Sequence, residues 1–477
     1  MTPRQTPLRL ATSLALAMSL AGLPLTARAQ ADFPAPAEME GHFRLTAGGP
    51  GQPLHPGTQM TFRGTGFVPG QQITLQRGTY VLTGDAPLVA DEAGEVTLDL
   101  TLPQAAAVGM HPIVVLAENP SATELLDLKI SPEIPLSGSE AFEMTSVASP
   151  TPGLYQIAHS DRAKALFVTA SSFRPNSSTL MKLDPETLET IASITPAPYA
   201  DTNEDDGEND GEQNPYATGP ASVFGLGLDD SHGHVWATNT ASNSVAVYDQ
   251  DDLSLVHQFP QGQVYHSREV IVDEVHSKAY VTSSATARVH VFDTETLEPL
   301  EVIEIPSSLR GEDFYVMNSA IDAEGGRLFV SSRATSELAV IDLESRGVTS
   351  VFALPGAIHA TGIAFDATSG RVFVSGQGSD NVLIVDPDAG KVLHTVPVGA
   401  GALSISFDPA GQLAWVTNRG AGTISAVDAQ GHIVATLDLG SYPNDVTSGP
   451  DGTVYAVNKS FGADDPRGDL ITAIRPR

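Results

Sequence analysis

The stretch GIAFDATSGRVFVSGQGSDNVLIVDPDAGKVLHTVPV (362–398) holds four short apolar segments separated by turn residues. GIAF (362–365), RVFVSG (371–376), NVLIVD (381–386) and KVLHTVPV (391–398) are rich in Val, Ile, Phe and Thr, which fit a pleated surface. DATSG, GQGSD and PDAG between them carry the Gly, Asp, Ser and Pro of tight turns. The stretch reads as a four-stranded antiparallel meander.

The pattern recurs. The segments ALFVTAS, HVWATNT, KAYVTSS, RLFVSSR, RVFVSGQ, LAWVTNR and TVYAVNK align on Phe167, Trp236, Tyr280, Phe329, Phe373, Trp415 and Tyr455. From the second copy on, these anchors lie 40 to 49 residues apart. Asp229, Asp273, Asp322, Asp366 and Asp408 stand seven residues before five of them, and Asp249, Asp293, Asp342, Asp386 and Asp428 stand thirteen after. Asp184 comes later in the first copy, after an insertion around 173–178. A period of about 42 residues with strand-like segments marks propeller blades. One four-stranded sheet cannot bury both faces alone, whereas seven stacked around an axis cover one another. The last copy ends after three strands, at ITAIRPR, and EAFEMTSV (140–147) reads as a strand without a neighbour. That strand is expected to complete the last blade. Repeated Asp residues at turns accept backbone N–H bonds, so they are expected to be structural.

Residues 41–130 read as a small all-β domain with strands HFRLT, QMTFRG, QITLQR, EVTLDLTL, PIVVLAE and LLDLKI. SPEIPLSGS (131–139) reads as a short stiff linker that would hold a preferred orientation. The expected fold is all-β: a seven-bladed β-propeller over 140–477, preceded by a small immunoglobulin-like β-sandwich.

Two resemblances bear on this. The AYVTS (279–283), AWVTN (414–418) and YAVN (455–458) segments resemble the repeat of the YVTN family of bacterial β-propellers, the YncE-like proteins, over about 140–477. The resemblance implies the fold and little about activity. GTQMTFRGTGFVPGQQITL (57–75) resembles the start of bacterial immunoglobulin-like modules, in which a G-x-G-F-x-P-G turn joins two strands. Such modules position, present or adhere.

The ends and the composition set the compartment. Arg4 and Arg9 precede a short apolar run, Leu10 to Leu23, and Ala27-Arg28-Ala29 matches the small-x-small rule. Residues 1–29 are therefore expected to be a signal peptide cleaved after Ala29, with a Pro-rich leader over 30–40. The expected location is periplasmic or secreted, and no other stretch is long and apolar enough for a transmembrane helix. No Cys is present, which excludes disulfides, thiolate catalysis, iron–sulfur clusters and Cys-type zinc sites. Twenty-five Lys and Arg, less the three of the signal, face 57 Asp and Glu. So acidic a chain repels polyanions and makes nucleic acid an unfavourable partner. The sequence leaves the oligomeric state open.

An acidic insert, PAPYADTNEDDGENDGEQNPYATGP (196–220), separates the first two copies. Asp206, Glu208 and Asp210 have the alternate-carboxylate spacing of a Ca²⁺ loop, but position twelve is Ala217 rather than a bidentate Glu. A solvated acidic loop is the first expectation and a Ca²⁺ site the second; no other cofactor is implied.

In an antiparallel meander, the loops after the "VTN" strands and those leading into the inner strands meet at one mouth of the central channel. The lead-in candidates are Tyr265, His266, Arg268, Asn318, His359, Asn444 and Asp445. The candidates after the VTN strands are Asn239, Ser283, Arg333, Gln377, Asn418, Arg419, Asn458 and Lys459. Arg268, Arg333, Arg419 and Lys459 give this mouth a positive share unusual for the chain. The leading expectation is a non-catalytic propeller that binds a small anionic ligand or a partner protein there. The competing expectation is a metal-dependent, lactonase-like hydrolase using His266, Glu269, His359 and Asp445. His232 and His234 lie in a turn on the opposite face, with no third ligand evident. The chain contains no G-x-S-x-G, H-E-x-x-H or phosphate-binding loop motif.

Overall fold

The computed structural model describes residues 37–48, 51–173, 176–199 and 219–477. The segments 1–29 and 201–218, with the expected export signal and the Asp206, Glu208 and Asp210 loop, lie outside the described residues. Among the described residues the structure is all β apart from two 3₁₀ turns, Ser139–Ala141 and Thr240–Ser242, and no helix is long and apolar enough to cross a membrane.

The N-terminal part is two antiparallel sheets. His42–Thr46, Gln59–Thr65 and Val96–Thr101 form one. Gln72–Arg77, Gly109–Glu118 and Ala122–Ile130 form the body of the other. Alternation along these strands sends Met60, Phe62, Ile73, Leu75, Ile113, Val115, Leu128 and Ile130 into one shared core.

Seven four-stranded antiparallel sheets follow among the described residues. Six are simple meanders over 154–194, 223–258, 267–304, 316–353, 360–397 and 402–438. The seventh joins Pro443–Ser448, Val454–Asn458 and Leu470–Pro476 to Phe142–Ala148, which pairs as its outer strand from Leu470↔Ala148 to Pro476↔Phe142. The first strand of each sheet contacts the first strand of the next, and that of the seventh contacts that of the first. The sheets thus close into a ring, the architecture of a β-propeller. The anchor aromatics lie between neighbouring sheets: Phe167, Trp236, Tyr280, Phe329, Phe373 and Trp415 are almost wholly buried. The repeated Asp side chains hold turns. Asp322 Oδ1 accepts the Gly325 N–H at 2.8 Å, and Asp428 Oδ1 accepts the His432 N–H at 2.8 Å.

One irregularity recurs and decides what lines the channel. In every one of the seven sheets the register between the first two strands slips near the start of the inner strand, for example between Ser267 and Val270 and between Ala402 and Ile405. Such a bulge leaves backbone unpaired and re-aims side chains. The Thr or Ser two residues after the anchor satisfies what it frees. Thr169, Thr238, Thr282, Ser331 and Thr417 accept the N–H of Gln156, Gly225, Glu269, Asn318 and Ser404 at 2.8–3.2 Å. The same hydroxyls reach across to the next sheet: Thr169 donates to the Phe224 carbonyl, Thr238 to Arg268, Thr282 to Met317 and Ser331 to Thr361. The recurrent hydroxyl therefore caps its own bulge and ties neighbouring inner strands together. The seventh sheet has Val457 there and lacks this link.

The two-sheet part rests on the rim of the ring. Lys129 Nζ lies 2.5 Å from Asp380 Oδ1 and donates to the Gln377 carbonyl at 2.8 Å. Ser137 and Thr436 exchange backbone hydrogen bonds across the linker.

Candidate functional site

A cavity of about 250 Å³ opens at the channel mouth. Its wall comes from the bulged ends of the inner strands and from the residues just past the second strands. The bulges contribute Tyr155, Gln156, Arg268, Met317, Asn318, Leu403, Ser404, Asn444 and Asp445. The second-strand exits contribute Arg333, Gln377, Arg419 and Lys459. A repeated backbone bond pins the exits. The carbonyl of the residue before each inner strand accepts their N–H: Tyr315 from Arg333, His359 from Gln377, Gly401 from Arg419 and Tyr442 from Lys459, all at 3.0 Å.

Four cations from four sheets converge here, and their partners are neutral. Arg268 donates to the Tyr155 hydroxyl at 2.8 Å and to Asn318 Oδ1 at 3.4 Å. Arg419 donates to Asn444 Oδ1 and lies 5.1 Å from the Tyr442 ring centre. Lys459 Nζ sits 4.6 Å from the Tyr155 ring centre. Cation–ring contacts of this kind add roughly 0.5–2 kcal/mol each. Eleven other Lys and Arg side chains among the described residues stand within ion-pair distance of a carboxylate; these four do not, and neither do Arg44, Arg77, Lys182, Arg310, Lys391 and Arg477, but only these four share one cavity. Burial, followed by Arg419 and Arg268, lowers the Lys459 ammonium to about 8. Burial also lowers Arg419.

Two carboxyl groups lie deeper, held by neutral donors. Asp445 accepts the Ser404 hydroxyl at 2.6 Å and the Ile157 N–H at 3.0 Å. Glu269 accepts Asn318 Nδ2 at 2.7 Å and the Ser319 N–H at 2.6 Å. Burial raises both; Asp445, which also feels Glu269, reaches about 7. Low local dielectric outweighs the opposing pull of Arg268 on Glu269 and raises both.

The expected mouth residues divide. Arg268, Asn318, Arg333, Gln377, Arg419, Asn444, Asp445 and Lys459 line this cavity. His266 and His359 line a neighbouring cavity of about 310 Å³ that shares Arg268, Met317 and Arg333 with the first. Tyr265 is exposed beside His266. Asn418 and Asn458 are a correction. They end their strands pointing inward and are almost wholly buried, as are Asn239 and Ser283. Asn418 donates to Thr423 and Ser425, and Asn458 ties the Leu439 and Arg467 carbonyls to the Leu470 N–H. Alternation hands the mouth to the following residue, Arg419 or Lys459. Tyr155, Gln156 and Ser404 are channel residues that the sequence reading did not single out. Their signal is positional: they precede Phe167 and Trp415 by the spacing at which Arg268 and Glu269 precede Tyr280.

His232 pairs with Asp229 at 2.8 Å and stacks near His234, away from this mouth. Among the described residues no group of three or more His, Asp or Glu side chains converges as metal ligands would. His266 and His359 line the second cavity and Asp445 the first, while Glu269 lines neither.

No protein-family model and no curated protein sequence matches the chain. Among solved structures, the chain is similar to a streptogramin B lyase (TM-score 0.54, 14% identity, covering 72% of this chain and 100% of that one). It is similar to virginiamycin B lyase from Staphylococcus aureus (TM-score 0.53, 14% identity, 70% and 100%). Hydrazine synthase of Kuenenia stuttgartiensis is a further neighbour (TM-score 0.52, 16% identity, 65% and 94%). At such identities the likeness is one of fold, and the lyases agree with a β-propeller.

Proposed function

We propose that this chain is an exported seven-bladed β-propeller with an N-terminal immunoglobulin-like module, akin to the YVTN-repeat proteins, and that it binds a small anionic ligand at the channel mouth. The observation that carries the binding reading is the set of four cations without carboxylate partners in a chain of 57 Asp and Glu. Arg268, Arg419 and Lys459 repel one another, and a bound anion relieves that repulsion. Arg guanidinium planes and the Tyr155 hydroxyl suit carboxylate or phosphate oxygens. Tyr155, Asn318 and Asn444 supply neutral hydrogen-bonding groups for orientation. Export is supported by the Arg4–Ala29 signal pattern. In this reading the N-terminal module, seated on the rim through Lys129, is a spacer or second contact. An acidic segment of a partner protein is a second occupant with the same chemistry at its tip.

Changing Arg333 and Arg419 together to Ala tests this. Binding of anionic compounds, screened by thermal shift, is expected to weaken about tenfold or more, with the larger difference at low salt. The uncomplexed variant is expected to melt at or above the wild-type temperature, because like charges have been removed. Equal anion responses from the two proteins, or a large loss of stability without any change in binding, would assign the cations to the fold instead.

A further inference from the structure

The two cavities at the mouth have a common wall in Arg268, Met317 and Arg333. Their volumes, about 250 and about 310 Å³, lie at or below the low end of small-molecule sites when taken singly, and within that range when taken together. No Asp or Glu lines the second cavity; its polar wall is His266, Arg268, Ser284, Tyr315, Arg333 and His359.

The backbone under the two histidines gives an independent pointer. Each is the residue just before an inner strand, and each sits in the left-handed region, His266 at φ 47° and His359 at φ 55°. The same position is Gly153 at φ 85° and Gly401 at φ 75° in two other sheets, and Tyr442 at φ 44° in a third. Glycine adopts this conformation freely, whereas a side chain there is strained. The turn itself therefore does not need imidazole, yet two sheets carry it, both facing the second cavity.

We infer that the two cavities are one two-lobed site for an extended dianion, a ligand with a carboxylate or phosphate at each end. One end lies among Arg419, Lys459 and Tyr155, and the other lies between His266 and His359, with Arg268 and Arg333 between them. This rests on the anion-binding reading of the mouth. The charged and titratable groups facing the imidazoles are Arg268, Arg333, Lys129 of the N-terminal module, Tyr265 and Tyr315. Burial lowers both histidines, then Arg268 acts on His266 and Arg333 and Lys129 on His359. Both effects favour the neutral imidazole in the unliganded protein. An anion between them favours their protonated forms, so dianion binding takes up protons.

The test is calorimetric titration of the full mature chain with α,ω-dicarboxylates from succinate to suberate and with monocarboxylates of matching length. A diacid of fitting length is expected to bind about tenfold or more tighter than its monoacid, because it gains a second charge-assisted contact. The advantage is expected to grow as pH falls, because the bound anion favours the protonated imidazoles. In a His266→Gly, His359→Gly variant the ratio is expected to fall to about one and to lose its pH dependence. Glycine is what two other sheets use at this position, so folding is not at risk. A wild type that binds mono- and diacids equally, or a variant that keeps the diacid advantage, overturns the two-lobed site and leaves the mouth reading standing. A wild type that binds no acid of either series overturns both.

Discussion

An Asp445→Asn chain is expected to be more stable than the wild type above about pH 7, by up to about 4 kcal/mol. Asp445 is 8% exposed, and burial, with Glu269 nearby, raises its carboxyl from 3.8 to about 7. A raised acid contributes stability that is full below its unfolded value and is lost as pH climbs through the folded one. Between about pH 4 and about pH 7 the unfolded chain has released the proton and the folded chain still holds it, so stability falls with rising pH. The interval from 3.8 to about 7 corresponds to about 4 kcal/mol. Asparagine keeps an acceptor for the Ile157 N–H and carries no charge to bury. Urea unfolding at pH values across this window checks it: the wild type should weaken as pH rises and the variant should weaken much less. Glu269 is raised in the same sense and leaves a residual slope. Equal slopes in the two proteins would mean that Asp445 is ionised in the fold at neutral pH.

Replacing Lys129 with Met should cost about 3 kcal/mol and release the N-terminal module from the ring. Asp380 is 2% exposed and has two donors, Lys129 Nζ at 2.5 Å and the Gly401 N–H at 2.6 Å. Removing one partner of a buried ion pair leaves an uncompensated charge, which costs about 3–5 kcal/mol. The Lys129 side chain is 28% exposed, which places the loss at the lower end. Asp380→Asn in the same chain should recover most of it, because no charge then remains to be solvated. Urea unfolding of the full chain measures the energies, and protease cleavage within 131–139 reports the release. A Lys129→Met protein with wild-type stability and an uncut linker would show that the contact is incidental.

Much of the fold was legible because the repeat is carried by groups with one job each. The anchor aromatics fill the gaps between sheets, and the two Asp series hold turns, so each leaves a fixed spacing in the sequence. The strand Phe142–Ala148 could be read from a deficit, since the last repeat lacks a fourth strand. The candidate site was legible in part for the same reason. Arg333, Arg419 and Lys459 follow the anchors at one offset, and that offset faces the mouth. Asn418 and Asn458, one position earlier, were misplaced because strand alternation reverses direction at the strand end, where propensity is silent. Tyr155, Gln156 and Ser404 were hidden by the bulge. An inner strand read as regular sends one residue in two toward the axis; the slip sends two successive residues there. Only the hydroxyl two positions past six of the seven anchors announces it, and its partner is a backbone N–H that no side-chain pattern reveals. The coupling of the mouth to Lys129 was also hidden, because it joins the two-sheet part to the ring and the two share no repeat.

We propose that Arg268, Arg419 and Lys459 form an anion site. Anomalous diffraction from crystals of the mature protein soaked in selenate tests it most directly. The account predicts a selenium peak at the channel mouth within hydrogen-bonding reach of Arg419 and Lys459, lost in the Arg333→Ala, Arg419→Ala protein. Selenium peaks elsewhere on the surface, with none at the mouth of the wild type, would contradict it.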